Sequence, residues 1–358
     1  MKKNLFKWTM FFLLVMPLTQ CQKSSFDEKA TIANISAELL AAKTKALTTV
    51  LTAAKEPEFR EFILSECLQQ KHGDYNVYLK DVISAYRGKS GYESFISTLD
   101  PLVSQLKQLT NGREPLIFYP RAETIEGQKK KRSNSRIEMY DPVGVYEDVY
   151  NPIDYSSPGY IVNDGYNLVY FQDITEDYAW ENDVWVLGQE ENVSPENMVA
   201  APEDMNNGRV PGGAEYGGLI QVTDLNAIEH WTSGKLEFKI FVVSSTGFTI
   251  NGGIGFGKRA RKNFRDNKWY DFGHFITNWN TSNWGNFMLE KWIEEDGGQS
   301  AEVSISIPPP SGQTGPTTTI KFPSKNNDDD LGSHAVQFTD PITQEYPISF
   351  MKFKRRNP

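Results

Sequence analysis

Acidic side chains come in three runs: Asp173, Glu176, Asp177, Glu181 and Asp183; Glu294, Glu295 and Asp296; and Asp328, Asp329 and Asp330. Two carboxylates at the right separation can flank a glycosidic bond, and several together can hold Ca²⁺. None of the runs matches the twelve-residue calcium loop, because "NNDDDLG" lacks the alternating ligands and the terminal Glu. Acidic loops on an acidic protein are ordinarily just solvated. Glu294, Glu295 and Asp296 are the calcium candidates, since they form an acidic turn beside an aromatic stretch; no other cofactor is expected.

That stretch, "WYDFGHFITNWNTSNWGNFMLEKW", holds Trp269, Trp279, Trp284 and Trp292, half of the tryptophans in the chain, with Asn278, Asn280, Asn283 and Asn286 among them. Flat rings beside amides suit stacking on sugars with hydrogen bonds to their hydroxyls. Trp269, Tyr270, Trp279, Asn280 and Trp284 are therefore the candidate ligand-binding residues. The competing reading places most of these rings in a core. Trp292 shares a strand face with Glu290 and Glu294, which suggests partial exposure.

"NGGIGFGKRARK", residues 251–262, approaches a phosphate-binding loop, but Arg259 stands where a hydroxyl must hold Mg²⁺. Gly253, Gly255 and Gly257 also fail the dinucleotide spacing. It reads as a glycine-rich loop between strands, with no nucleotide. His72, His230, His274 and His334 are scattered, and Glu229-His230 has no upstream His for an inverted zinc motif. There is no G-x-S-x-G. Cys67, beside Phe59, Phe62 and Ile63 at helical spacing, reads as a small core residue rather than a catalytic thiol.

The start, "MKKNLFKWTMFFLLVMPLTQC", has a basic head and an apolar run too short for a lasting membrane span, so residues 1–20 read as an export signal. Cys21 stands where bacterial lipoproteins carry their lipid, with Leu18 three residues before it, and residues 21–29 would be the tether. Ordinary secretion is the alternative. The chain carries a net charge of −9, and loss of Lys2, Lys3 and Lys7 takes the mature form to about −12. Such a protein is a poor nucleic-acid binder. The basic runs "KKKR" and "KFKRR" read as solvated loop and tail.

These residues need a scaffold. Ile32, Ile35, Leu39, Ala42, Ala46 and Val50 make one helical stripe, Pro57 opens a second helix, and further helices are expected to Leu109, with Asp100-Pro101 interrupting the last. After Asn111-Gly112 the period changes to short strands, among them "LIFYP", "RIEMY", "NLVYFQ", "DVWVLG", "KLEFKIFVV" and "AEVSISI". "AEVSISI" is expected to pair with "NFMLEKWIE" through Asp296-Gly297-Gly298. The fold class is α+β: a helical bundle over residues 30–110, then an antiparallel β-sandwich region over 111–358, divided near 208–218. The "EGQKKKRSNSR" segment is the expected cleavage loop.

"REFILSECLQQKHGDYNVYLKDV", "EDYAWENDVWVLGQEEN" and "MLEKWIEEDGG" followed by a strand resemble uncharacterised envelope lipoproteins of Bacteroidetes-type bacteria. The resemblance implies an outer-membrane address, and no mechanism. Gln22-Lys23 matches the start of a surface-export signal, but Ser24, Ser25 and Phe26 separate it from Asp27-Glu28. The functional expectation is a recognition module for a glycan, peptide or partner protein. The alternative is a hydrolase, glycosidase or metal-dependent, whose residues only the fold assembles.

Overall fold

The computed structural model describes residues 36–131, 137–191, 209–250, 252–307 and 317–356. The expected export signal over residues 1–20, the expected tether with Cys21, and Ile32 and Ile35 of the expected helical stripe lie outside them. The protein is mixed α/β with several antiparallel sheets.

The first part runs α1 (Ala37–Ala53), α2 (Pro57–Gln69), β1 (Asn76–Tyr78), α3 (Leu79–Tyr86), α4 (Glu93–Leu109), β2 (Pro115–Phe118), α5 (Arg121–Lys131), β3 (Val143–Tyr146), β4 (Ser157–Val162), β5 (Leu168–Ile174), α6 (Glu176–Glu181) and β6 (Val184–Gln189). Ser36 caps α1 by accepting from Leu39 N, and Pro57 sits at the first turn of α2, where its missing N–H costs nothing. Pro101 lies inside α4 without ending it. Ala42, Ala46, Leu47 and Val50 bury the expected α1 stripe. That stripe does not close on other helices alone. The core that contains it continues through Ile117, Val145, Val186 and Leu187 to Trp231. The helices thus share one core with a six-stranded sheet ordered β1-β2-β6-β3-β4-β5, and the change of period at Asn111-Gly112 is not a boundary of packing. Much of the expected cleavage loop is the end of α5, and "RIEMY" forms no strand over its described residues.

The second part runs β7 (Gly213–Val222), α7 (Leu225–Ile228), β8 (Leu236–Ser244), β9 (Ile254–Arg259), β10 (Trp269–Trp279), α8 (Thr281–Trp284), β11 (Phe287–Glu294), β12 (Ser300–Ile307), β13 (Thr318–Lys325), β14 (Asp329–Gln337), β15 (Tyr346–Ile348) and β16 (Met351–Arg356). Two four-stranded sheets, β10-β7-β16-β15 and β14-β11-β8-β9, contribute to one cluster. Leu236, Phe238, Ile240 and Val242 of β8 meet Ile220, Phe272 and Phe353 there, as their alternation requires. The expected pairing of β12 with β11 is not made. Both edges of β11 are taken, by β8 and β14, so β12 pairs with β13 as a separate ribbon. Ile305, Ile307 and Phe322 of the ribbon pack on Phe241, Val243 and Ile293. The "KFKRR" tail is strand β16, and Arg355 is buried.

Candidate metal centre at the junction of the two parts

Five carboxylates from four stretches of chain converge where β6 meets the second part. Glu191 follows β6, Glu229 follows α7, Glu237 lies on β8, Glu294 ends β11, and Asp296 follows it. One oxygen from each of Glu229, Glu237 and Glu294 lies within 4.8 Å of the others, and the same holds for Glu191, Glu229 and Asp296.

Local structure fixes the segments that carry Glu229, Glu237 and Glu294. Asp224 caps α7 by accepting from Ala227 N, and the helix ends at Glu229. Arg261 then donates to the Glu229 carbonyl at 2.9 Å while pairing with Glu176 at 3.0 Å. Burial works against the Glu176 carboxylate, but Arg261 and Arg265 overcome it and hold its pKa down at about 2. The next residues lock the junction. His230 Nε2 and Trp231 Nε1 both meet Tyr155 O at 2.9 Å, and Thr232 donates to Glu147 O at 2.9 Å. On the sheet side, Glu237 N donates to Glu294 Oε1 at 2.9 Å.

Compensating charge is scarce. Lys258, opposite Glu237 in the β8–β9 register, reaches Glu191 at 2.7 Å and Glu237 at 2.9 Å. Fully ionised, five carboxylates against this one ammonium leave a surplus of four negative charges. Glu229 is 6 % exposed, and Glu237 and Glu294 are 0 %. Both carboxylate oxygens of Glu229, Oε2 of Glu237 and Oε2 of Glu294 meet no nitrogen or hydroxyl donor, and the Asp296 carboxyl faces Glu229 and Glu294 instead. Burial, then the neighbouring carboxylates, pushes the Glu229 and Glu294 carboxyls well above the usual range. Burial also raises Glu237, with Lys258 opposing. Asp296 is pushed up to about 7, by burial first and then by Glu191. A buried carboxylate with no donor is costly, and this site stacks several together.

Hard oxygen donors select hard cations. Ca²⁺ takes six to eight oxygens at about 2.3–2.6 Å with tolerant geometry, so two ligands on one ion are at most roughly 5 Å apart. Zinc prefers imidazole and thiolate, and neither candidate group contains them. His230 adjoins Glu229, but its Nδ1 meets Thr232 Oγ1 at 2.7 Å and its Nε2 meets Tyr155 O. Burial pushes that imidazole down to about 4, so it is neutral and already engaged. A cleft of about 380 Å³, counted out to open solvent, adjoins the cluster and is lined by His72, Asp74, Asn76, Gln189, Glu191 and Lys258.

Of the three acidic residues singled out in the sequence, Glu294 and Asp296 enter the cluster. Glu295 pairs instead with Lys239 at 3.1 Å. Glu191, Glu229, Glu237 and Lys258 were not singled out as ligands or counter-ions. Lys258 belongs to the glycine-rich segment that resembled a phosphate loop, and it faces carboxylates rather than phosphate. One signal was available: Glu290, Trp292 and Glu294 share a strand face, and all three are buried, so a core Trp between two glutamates carries both inward.

The aromatic candidates are spread out. Trp269 and Tyr270 start β10 and Trp279 ends it, roughly 30 Å away for an extended strand. Lys354 and Lys352 lie over the Trp269 ring at 4.2 and 5.6 Å, and Tyr270 packs edge-on against Phe264 and Phe272. Trp279 is 1 % exposed and donates to Gly285 O at 2.9 Å, so its ring is core. Asn280 caps α8, accepting from Ser282 N, and Trp284 is half-buried. Cys67 is buried, and burial pushes its thiol well up, which keeps it unreactive.

No protein-family model matches the chain, and no curated protein or solved structure is significantly similar to it.

Proposed function

We propose that this chain is a lipid-anchored protein of the bacterial cell envelope, attached through Cys21, whose second part holds a buried calcium ion beside its junction with the first. In this reading the paired four-stranded sheets are a β-sandwich, and the helices are a layer on the six-stranded sheet. The rigidified body serves as a recognition module for a glycan, peptide or partner protein rather than as an enzyme. The observation that carries the calcium reading is Glu229, 6 % exposed with neither oxygen meeting a nitrogen or hydroxyl donor, facing Glu237 and Glu294 at coordination distance. A structural role fits the burial of these three residues, which leaves little room for a substrate at the ion.

Metal analysis of the full chain, purified without chelator, tests the site: at least one calcium per chain is expected. A metal-free protein that also fails to take up calcium on dialysis contradicts it. Cys21→Ala should release the protein from membranes, and persistence there after salt and carbonate washing would refute the anchor.

A further inference from the structure

The junction contains two carboxylate triads, and one ion at the buried triad leaves the other unexplained. Glu191, Glu229 and Asp296 form the outer triad; Glu229 belongs to both. We propose that Glu229 bridges two divalent cations of the calcium class, one held with Glu237 and Glu294 and the second with Glu191 and Asp296. This rests on the calcium reading above and deepens it.

Three observations carry the proposal. Glu229 is nine-tenths buried and neither of its oxygens meets a nitrogen or hydroxyl donor, which is what a bridging carboxylate requires. With all five carboxylates deprotonated, as ligands must be, the surplus of four after Lys258 is counted equals the charge of two divalent ions and is half met by one. Two further charges beside the cluster offset each other: the Lys235 ammonium, which donates to Gln70 Oε1 and Gly73 O at 2.7 Å, and the Asp74 carboxylate. Asp74 accepts from Tyr75 N at 2.6 Å and Lys235 N at 2.9 Å, and Arg261 pairs with Glu176.

The two positions differ in what they join. The inner triad is drawn wholly from the second part. Glu191 comes from the end of β6, so the outer ion ties the six-stranded sheet to the second part. It is also nearer solvent, because Glu191 lines the adjoining cleft. The outer ion is therefore the exchangeable one, and its loss loosens the junction while the inner ion stays.

Equilibrium dialysis of the chelator-stripped full chain against calcium tests this, with folding of each variant checked by circular dichroism. Two calcium ions per chain are expected in the parent, and one in Glu191→Gln. Asp296→Asn should match Glu191→Gln, which covers the case in which one variant fails to fold. Glu229→Gln should reduce binding at both positions. One ion in the parent, unchanged in Glu191→Gln and Asp296→Asn, overturns the second cation and leaves the inner site standing. No calcium in the parent overturns both readings.

Discussion

Strand β11 carries two buried glutamates on one face, Glu290 and Glu294, on either side of Trp292, and the protein treats them in opposite ways. Glu290 meets Arg355, accepts from Trp292 Nε1 at 2.8 Å, and belongs to a group in which Arg209 and Arg355 face Glu215 and Glu290. Two acids are matched by two guanidinium groups. Arg355 keeps two nitrogens without a hydrogen bond, yet its charge is answered. Glu294, four residues on, enters a group of five carboxylates with one lysine. The same residue type, strand and burial give a self-sufficient network in one place and an open demand for positive charge in the other. Burial of a carboxylate therefore says little until its counter-charges are counted.

The largest effects should come from unbalancing the first group and chelating the second. Arg355→Met leaves Glu290 and Glu215 buried without their shared cation and should cost about 3–5 kcal/mol in urea unfolding. Glu229→Gln should do the reverse in EDTA, leaving stability unchanged or raised, because it removes a buried carboxyl that faces other carboxyls and has no counter-charge of its own. In calcium it should lose the stabilisation of roughly 4 kcal/mol that a ligand at a thousand times its dissociation constant provides. If both variants destabilise equally in EDTA, the contrast between the two groups is wrong.

Trp279 sharpens the comparison, because Arg209 of the balanced group lies over its ring at 5.4 Å. Trp279→Ala should cost about 3–5 kcal/mol through the cavity and the lost support for Arg209. Trp284→Ala, at a half-buried ring, should cost clearly less. Thermal melts of the two variants check the order.

The pH response should have two limbs. Glu147, beside the junction, is pushed up to about 8 from an ordinary 4.5, by burial first and then by Asp148, with Lys43 and Arg113 opposing and Glu191 adding to it. The native state then holds a proton that the unfolded state releases, so this contribution is full below about 4.5 and is lost as pH rises through 8. His274, against Arg355, and His230, at the junction, are pushed down to about 4, chiefly by burial, from an ordinary 6.5. Their contribution is present above 6.5 and is lost as pH falls through 4. In EDTA, Glu147→Gln should weaken only the alkaline limb, which Asp296 and the junction glutamates share, and His274→Gln should weaken only the acid one, as measured by urea unfolding across pH. The smallest effect belongs to Glu295→Gln, which breaks the Lys239 pair and should leave calcium uptake unchanged on dialysis.

Much of the fold could be read from local pattern. The alternation in "KLEFKIFVV" places the β8 face correctly, and the α1 stripe is buried as its spacing requires. Where helices and strands share a core, as Val50 and Val186 do, periodicity gives no warning, because it reports which face is buried and not against what. The metal candidates show the same limit. Glu294 and Asp296 were visible as part of an acidic turn. Glu191, Glu229 and Glu237 reach them only through sheet register and the packing of the α7 end, which leave no fixed spacing in the chain. Arg355 was hidden in a run that reads as a solvated tail.

The central claim is that positive charge must be supplied to the junction from outside the chain. Thermal unfolding of the full chain, compared in EDTA, in calcium and in magnesium at one ionic strength, tests it most directly. Calcium should raise the midpoint well above the EDTA value, and magnesium, which dehydrates reluctantly, should do so far less. Identical midpoints in all three conditions would contradict the claim.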